Sequence, residues 1–329
     1  MTTTRLALLA VGLGLTLLVA TAVGSTGIPP GEVWSALTGE GDATTRSIVL
    51  QLRLPRAVLA ALVGGSLALS GAVFQALLRN PLADPYVLGV SGGAAVGAVL
   101  AIVAGGIVAA PVGWTVQMGA FIGALLAIGL VLKIATAVGP ALTARLFILA
   151  GVVVGAFFNA VILLMLSLAY VESFRSAIFW MMGSLSGAGW GAVLLLSAFA
   201  LPLTLVLLAM ARPLNLLAVG EETAVHLGVR VQATQRAAYV VTSLLVAAAV
   251  SVSGVIGFVG LIVPHAVRLM WGGDHRLLLP ASFLGGAGFL VLTDALARTV
   301  GGPVELPTGV ITALVGVPLF IWLLIRGGA

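Results

Sequence analysis

The chain has 329 residues, 61% of them hydrophobic and only 8% charged, with a mean hydropathy of +1.24. Soluble domains carry roughly 25% charged residues, so this composition describes an integral membrane protein. Without cysteine there are no disulfides, thiolate metal sites or cysteine nucleophiles, and the net charge of +5 reads as cationic loops that hold topology, not as a nucleic-acid surface.

A spanning helix needs roughly 20 mainly apolar residues. Charge-free runs lie at 6–31, 57–78, 85–132, 146–171, 176–211, 237–267, 277–293 and 306–325. The first contains Ala20-Thr-Ala22, which resembles a signal-cleavage site. Its charge-poor start and long apolar length favour an uncleaved first span. Run 85–132 divides at Gly105-Gly106 and Pro111 into two helices. Run 176–211 holds one span plus a short re-entrant piece around Ser176–Leu185, and run 237–267 breaks near Ser253-Gly254, its second part ending near Trp271. The reading is an all-α integral membrane fold of ten transmembrane helices, a single domain over 1–329.

Ten spans return the chain to the side it started from. With the N-terminus in the cytoplasm, ten of the fifteen Lys and Arg residues lie inside, and Arg46, Arg53, Arg56, Arg175 and Arg298 lie outside. That is the direction of the positive-inside rule, and it makes both termini cytoplasmic. Ser70-Gly71 precedes Pro81 at the same spacing as Ser253-Gly254 precedes Pro264, on helices of opposite direction, and Gly92-Gly93-Ala94 matches Gly285-Gly286-Ala287. These echoes suggest an inverted internal repeat. The stripes Gly64, Ala68, Ala72 and Gly93, Gly97, Ala101 read as close helix packing.

The joints between spans carry the polar chemistry. Arg53 and Arg56 fall at the outer end of the second helix, with Pro55 suited to a helix start, and Arg298 falls at the outer end of the ninth. One arginine there would be read as snorkelling; three against the inside bias suggest a purpose. The joint Arg79–Pro85 cannot be continuous helix, and Asn80 and Asp84 can cap its flanks. Loop 212–230 is amphipathic, too short and polar to span, with Gly220 and Gly228 bracketing a short helix. His265, Asp274 and His275 lack a third well-spaced ligand, so no metal site is expected, and Asp274 reads as a cap of the ninth helix. Arg175, beside Phe174, Phe179, Trp180 and Met182, fits either an interfacial aromatic belt or the mouth of a pathway. Asp294, the acid well inside a span, pairs with Arg298 one turn away.

Several strings carry a resemblance. Arg53-Leu-Pro-Arg56 with Leu78-Arg-Asn-Pro-Leu-Ala-Asp-Pro85, the N-x-x-x-x-G-E-x-x-A-x-x-L-G pattern from Asn215 to Gly228, and Gly257–Arg268 with Gly273–Pro280 closely resemble permease subunits of bacterial ABC importers for iron-siderophores, haem and cobalamin. The resemblance runs from about Arg46 to Arg326. It implies a homodimer around a central pathway in the inner membrane, joined to two copies of an ATPase and to a periplasmic or lipoprotein substrate-binding protein. The chain would be a transport subunit, not an enzyme, with no cofactor and no nucleic-acid partner; its sequence holds no P-loop.

Residue by residue, the resemblance puts Asn80, Leu82, Thr143 and Ala144 at a cytoplasmic gate. Ala144 departs from the family, where a hydroxyl residue can stand. It gives ATPase coupling to Asn215, Gly220, Glu221, Glu222, Ala224, Leu227 and Gly228. Arg53, Arg56 and Arg298 would meet acidic residues of the binding protein, and Arg175 an anionic chelate or haem propionate. The alternative reading is a self-contained proton- or sodium-coupled transporter, for which only Asp294 approaches the membrane midplane. An intramembrane hydrolase would need paired acids, a Ser/His pair or an H-E-x-x-H helix, and none is present.

Overall fold

The structure is a computed structural model that describes residues 2–24, 27–108, 112–138, 144–301 and 304–327. Hydrocarbon offers no partner to a backbone N–H or C=O, so a chain this apolar satisfies them within helices. In order these are α1 (Thr2–Ala22), α2 (Pro30–Thr38), α3 (Ala43–Ser47), a π-helical turn (Ile48–Arg53), α4 (Leu54–Leu77), a 3-10 turn (Pro85–Leu88), α5 (Val90–Val108), α6 (Val112–Val138) and α7 (Ala144–Leu168). There follow α8 (Val171–Met181), α9 (Trp190–Ala209), α10 (Ala211–Val219), α11 (Glu221–His226), α12 (Val231–Ser253), α13 (Val259–Trp271), α14 (His275–Val300) and α15 (Thr308–Gly327). Seven are long and apolar enough to cross a membrane, and α5, α13 and α15 hold three shorter apolar stretches, which accounts for the ten expected spans.

Three local expectations are corrected. The helix does not break at Gly105-Gly106: α5 runs to Val108, and Pro111 lies outside the described residues. The re-entrant piece is α8, which begins earlier, at Val171. Pro55 does not start the second span, because Ala43–Leu77 is 35 residues of continuous helix. The π turn before Pro55, with Leu54 N–H reaching back to Val49 O, absorbs the ring and the missing donor without ending the helix. Arg53 and Arg56 therefore sit well inside a helix, and that alone changes their surroundings.

Helix α4 is the hub, with α14, α12, α13, α9 and α1 packed around it. Two four-helix sets, α4–α7 and α12–α15, are built alike: α4 packs on α14 as α12 packs on α6, and α5 touches α6 and α7 as α13 touches α14 and α15. The first helices of the sets run antiparallel, because Arg79 just past the end of α4 and Gln235 near the start of α12 both bind Glu221. The repeat thus lies in the pairing of helices. The echoed dipeptides are not equivalent points: Ser70-Gly71 lies inside unbroken α4, whereas α12 ends at Ser253-Gly254.

Small residues set the closest approaches. On α4, Gly64 faces Gly286 of α14 and Gly71 faces Gly260 of α13; a Cβ at either would overlap the facing backbone. Where no hydrophobic effect separates lipid from protein, such contact is how helices associate. Three chain breaks also meet at one node. Gly183 after α8 and Gly254 after α12 have φ of +69° and +68°. Ser184 N–H donates to Ser253 O at 2.8 Å, and Gly309 N–H at the start of α15 donates to Gly183 O at 3.1 Å.

Gly71→Val is expected to lower stability by about 1–3 kcal/mol or more, since the facing element is backbone and cannot yield. Gly129→Val, where an added Cβ meets nothing within 4 Å, should change little. Thermal melting of both variants in detergent checks the contrast.

Candidate functional site

Polar chemistry collects at the two ends of the bundle. At one end, Asp294 of α14 is 1% exposed and accepts bonds from three elements. Arg56 Nε lies 3.2 and 3.1 Å from its two oxygens and Nη2 lies 3.1 Å from Oδ1. Arg298 Nε is 3.2 Å from Oδ2, one turn along α14, and Thr308 Oγ1 donates to Oδ1 at 3.1 Å. Arg56 also reaches Glu305 with Nη1, at 2.8 Å. Arg298 and Arg53 donate to the carbonyls of Ala20, Thr21, Ala22 and Val23 at distances of 2.9–3.1 Å, so two arginines cap the C-terminal end of α1.

Arg53, Arg56 and Arg298 are thus 7, 7 and 5% exposed, not free charges at exposed helix ends. Burial in the continuous helix requires each guanidinium to find partners within the fold. They still bound a cavity of about 280 Å³, shared with Gly24, Leu52 and Glu305. Sequence reasoning found the Asp294–Arg298 pair but missed Arg56 as a second partner, and missed Glu305 altogether. The only signal for Glu305 was an acid between two prolines on the side richest in unexplained arginines.

At the other end, the joint after α4 turns sharply, with Arg79 at φ +48°. Asn80 Oδ1 accepts Leu82 N–H at 2.9 Å, and Asp84 accepts Tyr86 N–H at 2.8 Å as the cap of the 3-10 turn. The capping expectation holds for Asp84, whereas Asn80 caps no helix: the C-cap of α4 is Leu78, and Asn80 shapes the turn within the joint. Leu82 is left 47% exposed. Ala144 is the first residue of α7, and Thr143 lies outside the described residues. Tyr86 hydroxyl donates to Ile256 O at 2.8 Å and accepts Ile256 N–H at 3.1 Å, tying this joint to the break between α12 and α13. Nothing in the sequence linked positions 170 residues apart. Burial pushes the Asp84 carboxyl up to about 6, against the opposing pull of the Tyr86 N–H.

The loop 212–230 folds as two short helices, α10 and α11, around Leu217, Ala224 and Val231. The expected coupling residues divide into distinct roles. Ala224 is core, and Gly220 joins the two helices. Glu221, its side chain 44% exposed, is turned back onto its own chain by Arg79 at 3.0 Å and by Gln235 at 3.2 Å. Asn215 turns inward too: Nδ2 donates to Asp274 Oδ1 at 2.7 Å, and Oδ1 takes His275 N–H at 2.9 Å and lies 2.7 Å from His275 Nδ1. Asp274 is indeed the cap of α14, and the Arg276 N–H, then the Asn215 amide, hold its carboxyl below the ordinary range. Glu222, Leu227 and Gly228 remain at the surface, Gly228 with φ +84°. Around them Val219, Val225 and Leu227 are 74, 58 and 59% exposed, an apolar patch on a polar loop.

Arg175 is exposed on α8, with its guanidinium 5.8 Å from the centre of the Phe179 ring. No group of three His, Asp or Glu able to hold a metal occurs among the described residues.

The fold therefore defines a multi-pass membrane permease, all-helical among its described residues and lacking a P-loop in its sequence. Comparison with known proteins makes this specific. Residues 12–326 match the model of the FecCD transport family, to which the chain belongs. It is 41% identical to the hemin transport system permease protein HmuU of Yersinia pestis, covering 97% of this chain and 96% of that one. It is 47% identical to the cobalamin import system permease protein BtuC of Halobacterium salinarum, covering 93% of this chain and 82% of the relative. A solved transporter described as a metal-chelate type ABC transporter, in an inward-facing conformation, superposes with a TM-score of 0.90 at 31% identity, covering 98% of this chain and 99% of that one. The chain is a permease subunit of an ABC importer of this type, a transport component and not a catalytic enzyme.

Two predictions arise from these clusters. Asp294→Asn leaves Arg56 and Arg298 buried without a counter-charge and should cost about 3–5 kcal/mol; Glu305→Gln, whose side chain is 48% exposed, should cost under about 1 kcal/mol. Chemical denaturation in detergent micelles separates the two. For Asp84, a raised folded pKa means that its contribution is fully present below the unfolded value near 3.8 and is lost as pH rises through about 6. Asp84→Asn should therefore melt higher than the parent at pH 8, with the gap closing below pH 5; a constant gap would show that burial does not govern this carboxyl.

Proposed function

We propose that two copies of this chain enclose the pathway of a binding-protein-dependent importer, driven by two copies of a separate ATPase. The cargo is an iron chelate (a siderophore complex or haem) or cobalamin. The observation that carries the ATPase reading is the patch Val219, Val225 and Leu227. These side chains stand exposed beyond the spanning segments, on a loop whose own small core is already complete. Apolar surface of this kind on a polar rim suits a protein partner. Beside it Glu222, Arg230 and Arg236 line an open groove that supplies charge for orientation. Asn215 and Glu221 then act one step behind the contact, linking the docked loop to α14 and to the end of α4.

This loop end is cytoplasmic, by the charge bias of the sequence, and the arginine end faces the binding protein across the inner membrane. Docking there would use the cavity bounded by Arg53, Arg56 and Arg298, with Leu52 and Glu305 as its exposed wall, and Arg175 would meet the cargo at the mouth of the pathway. Asn80, Leu82, Thr143 and Ala144 form the cytoplasmic gate between the two copies. The cargo reading is supported by the relatives named for hemin and cobalamin import and by the metal-chelate type of the structural neighbour. Against a proton- or sodium-coupled transporter stands Asp294, whose oxygens are taken up by Arg56, Arg298 and Thr308.

Leu227→Glu should abolish co-purification of the ATPase while leaving membrane insertion unchanged; retained ATPase would sink the docking reading. Since the chain has no cysteine, Leu82→Cys gives a clean probe of the gate, and it should crosslink between copies in the closed-inside state and lose the crosslink when that gate opens. A disulfide needs Cα atoms within roughly 7 Å, so the geometry is strict. ATP-dependent uptake of labelled haem, ferric siderophore and cobalamin by the reconstituted complex decides the cargo, and uptake of none of them would overturn the class.

A further inference from the structure

Helix α7 has one side covered and one side open. It packs on α5, α6 and the 3-10 turn, and buries Phe147, Val154, Phe158 and Ile162. Its other side is mostly apolar, with Val152, Val153, Phe157 and Leu163 54–61% exposed, as on a surface that meets hydrocarbon. Asn159 breaks that pattern. Of the chain's three asparagines, Asn80 and Asn215 belong to the joints, and Asn159 lies within a span, nearer the middle of the 25-residue α7 than either end. Its side chain is exposed, and no hydrogen bond engages its carboxamide among the described residues.

Polar side chains that face outward elsewhere on the spans are satisfied within their own helix. Thr136 Oγ1 donates to Leu132 O and Ser167 Oγ to Leu164 O, each at 2.8 Å. A carboxamide carries two N–H donors and a carbonyl, and that of Asn159 makes no such bond. Asparagine is also too short to snorkel: Leu168, where α7 ends, is about 14 Å further along the axis at 1.5 Å per residue. An unpartnered amide is costly in hydrocarbon, so this edge of α7 faces water or protein, not acyl chains.

Two observations favour water. Gly155, one turn before Asn159, is half-buried, and a Cβ added there would meet nothing within 4 Å, so the amide borders a recess. The ends of the helix point the same way. It starts at Ala144, proposed for the gate, and leads through a short break into α8, which carries Arg175. Asn159 therefore lies between the proposed inner gate and the proposed outer mouth.

We propose that Asn159 lines the pathway between the two copies and hydrogen-bonds the passing cargo, its Nδ2 donating to carbonyl or carboxylate oxygens, while Gly155 keeps room beside it. This rests on the importer reading above and adds a cargo contact to it. A neutral amide holds a polar cargo without the desolvation cost of a charge, and transit needs a contact that also lets go.

The chain has no cysteine, so Asn159→Cys reads accessibility directly. With the complex in nanodiscs, the anionic reagent sulfonatoethyl methanethiosulfonate should label it in at least one nucleotide state and leave Leu15→Cys, on the exposed face of α1, unlabelled. Asn159→Leu should raise the cargo concentration for half-maximal uptake about fivefold, the effect of one net hydrogen bond. Asn159→Gln should recover most of that loss, and Gly155→Leu, which fills the recess, should lower uptake in a normally melting protein. No labelling of Asn159→Cys in any nucleotide state would overturn the proposal and put this edge in lipid. A disulfide between copies at that position, again without labelling, would overturn it as a dry contact between subunits. Labelling with unchanged uptake kinetics in Asn159→Leu would overturn the cargo contact. Labelling is read without cargo, so its failure is distinct from failure of the importer reading, which would show as absent uptake in the parent.

Discussion

A polar group inside hydrocarbon has nothing to bond with except the protein itself, and the architecture of this chain follows from that constraint. It makes the spans helical and lets helices meet through glycine, as at Gly64–Gly286 and Gly71–Gly260. It also confines chain breaks to places where other breaks can satisfy them. The ends of α8 and α12 and the start of α15 exchange backbone hydrogen bonds at the Gly183–Gly254–Gly309 node, so three interruptions cost less together than apart. Buried arginine is governed in the same way: Arg53 and Arg298 become caps for α1, and Arg56 and Arg298 share the carboxylate of Asp294.

Helix α14 links the two polar ends. Its 26 residues would span about 39 Å at 1.5 Å per residue. At its start, Asp274 and His275 are clasped by Asn215 of the loop proposed to meet the ATPase. Near its far end, Asp294 and Arg298 hold α1, α4 and the start of α15. A movement of α10 therefore reaches a stiff element whose other end is anchored beneath the surface proposed for the binding protein. Asn215 serves this linkage better than it would serve direct contact, because both ends of its amide already bond within the chain.

Much of this was legible in the residues because it rests on local rules. Hydropathy and charge gave the spans, since each needs only enough apolar length. Capping chemistry gave Asp84 and Asp274, because a short polar side chain bonds backbone two residues away; Asn80 makes the same local bond but within a turn, not at a helix end. Gly220 and Gly228 marked the ends of α11 because they flank an amphipathic stretch. The failures were of another kind. Pro55 looked like a helix start because proline usually is one there, and the widened π turn that carries the helix past it has no sequence signature. The paired dipeptides Ser70-Gly71 and Ser253-Gly254 looked equivalent, but one glycine serves packing and the other serves a break.

The sequence by itself determined an all-helical membrane permease with its ten apolar spans, the caps of its joints and the motifs of the FecCD family, because apolar length, period and capping are properties of neighbouring residues. Only the tertiary structure decided what the charges do. Whether Arg56 is an exposed docking charge or a buried partner of Asp294 depends on which helix lies beside α4, 238 residues away in the chain. The same is true of Asn215 and Asp274, and of Tyr86 and Ile256. Such pairings leave no local pattern, because the partner that satisfies a buried polar group is chosen by how the helices assemble.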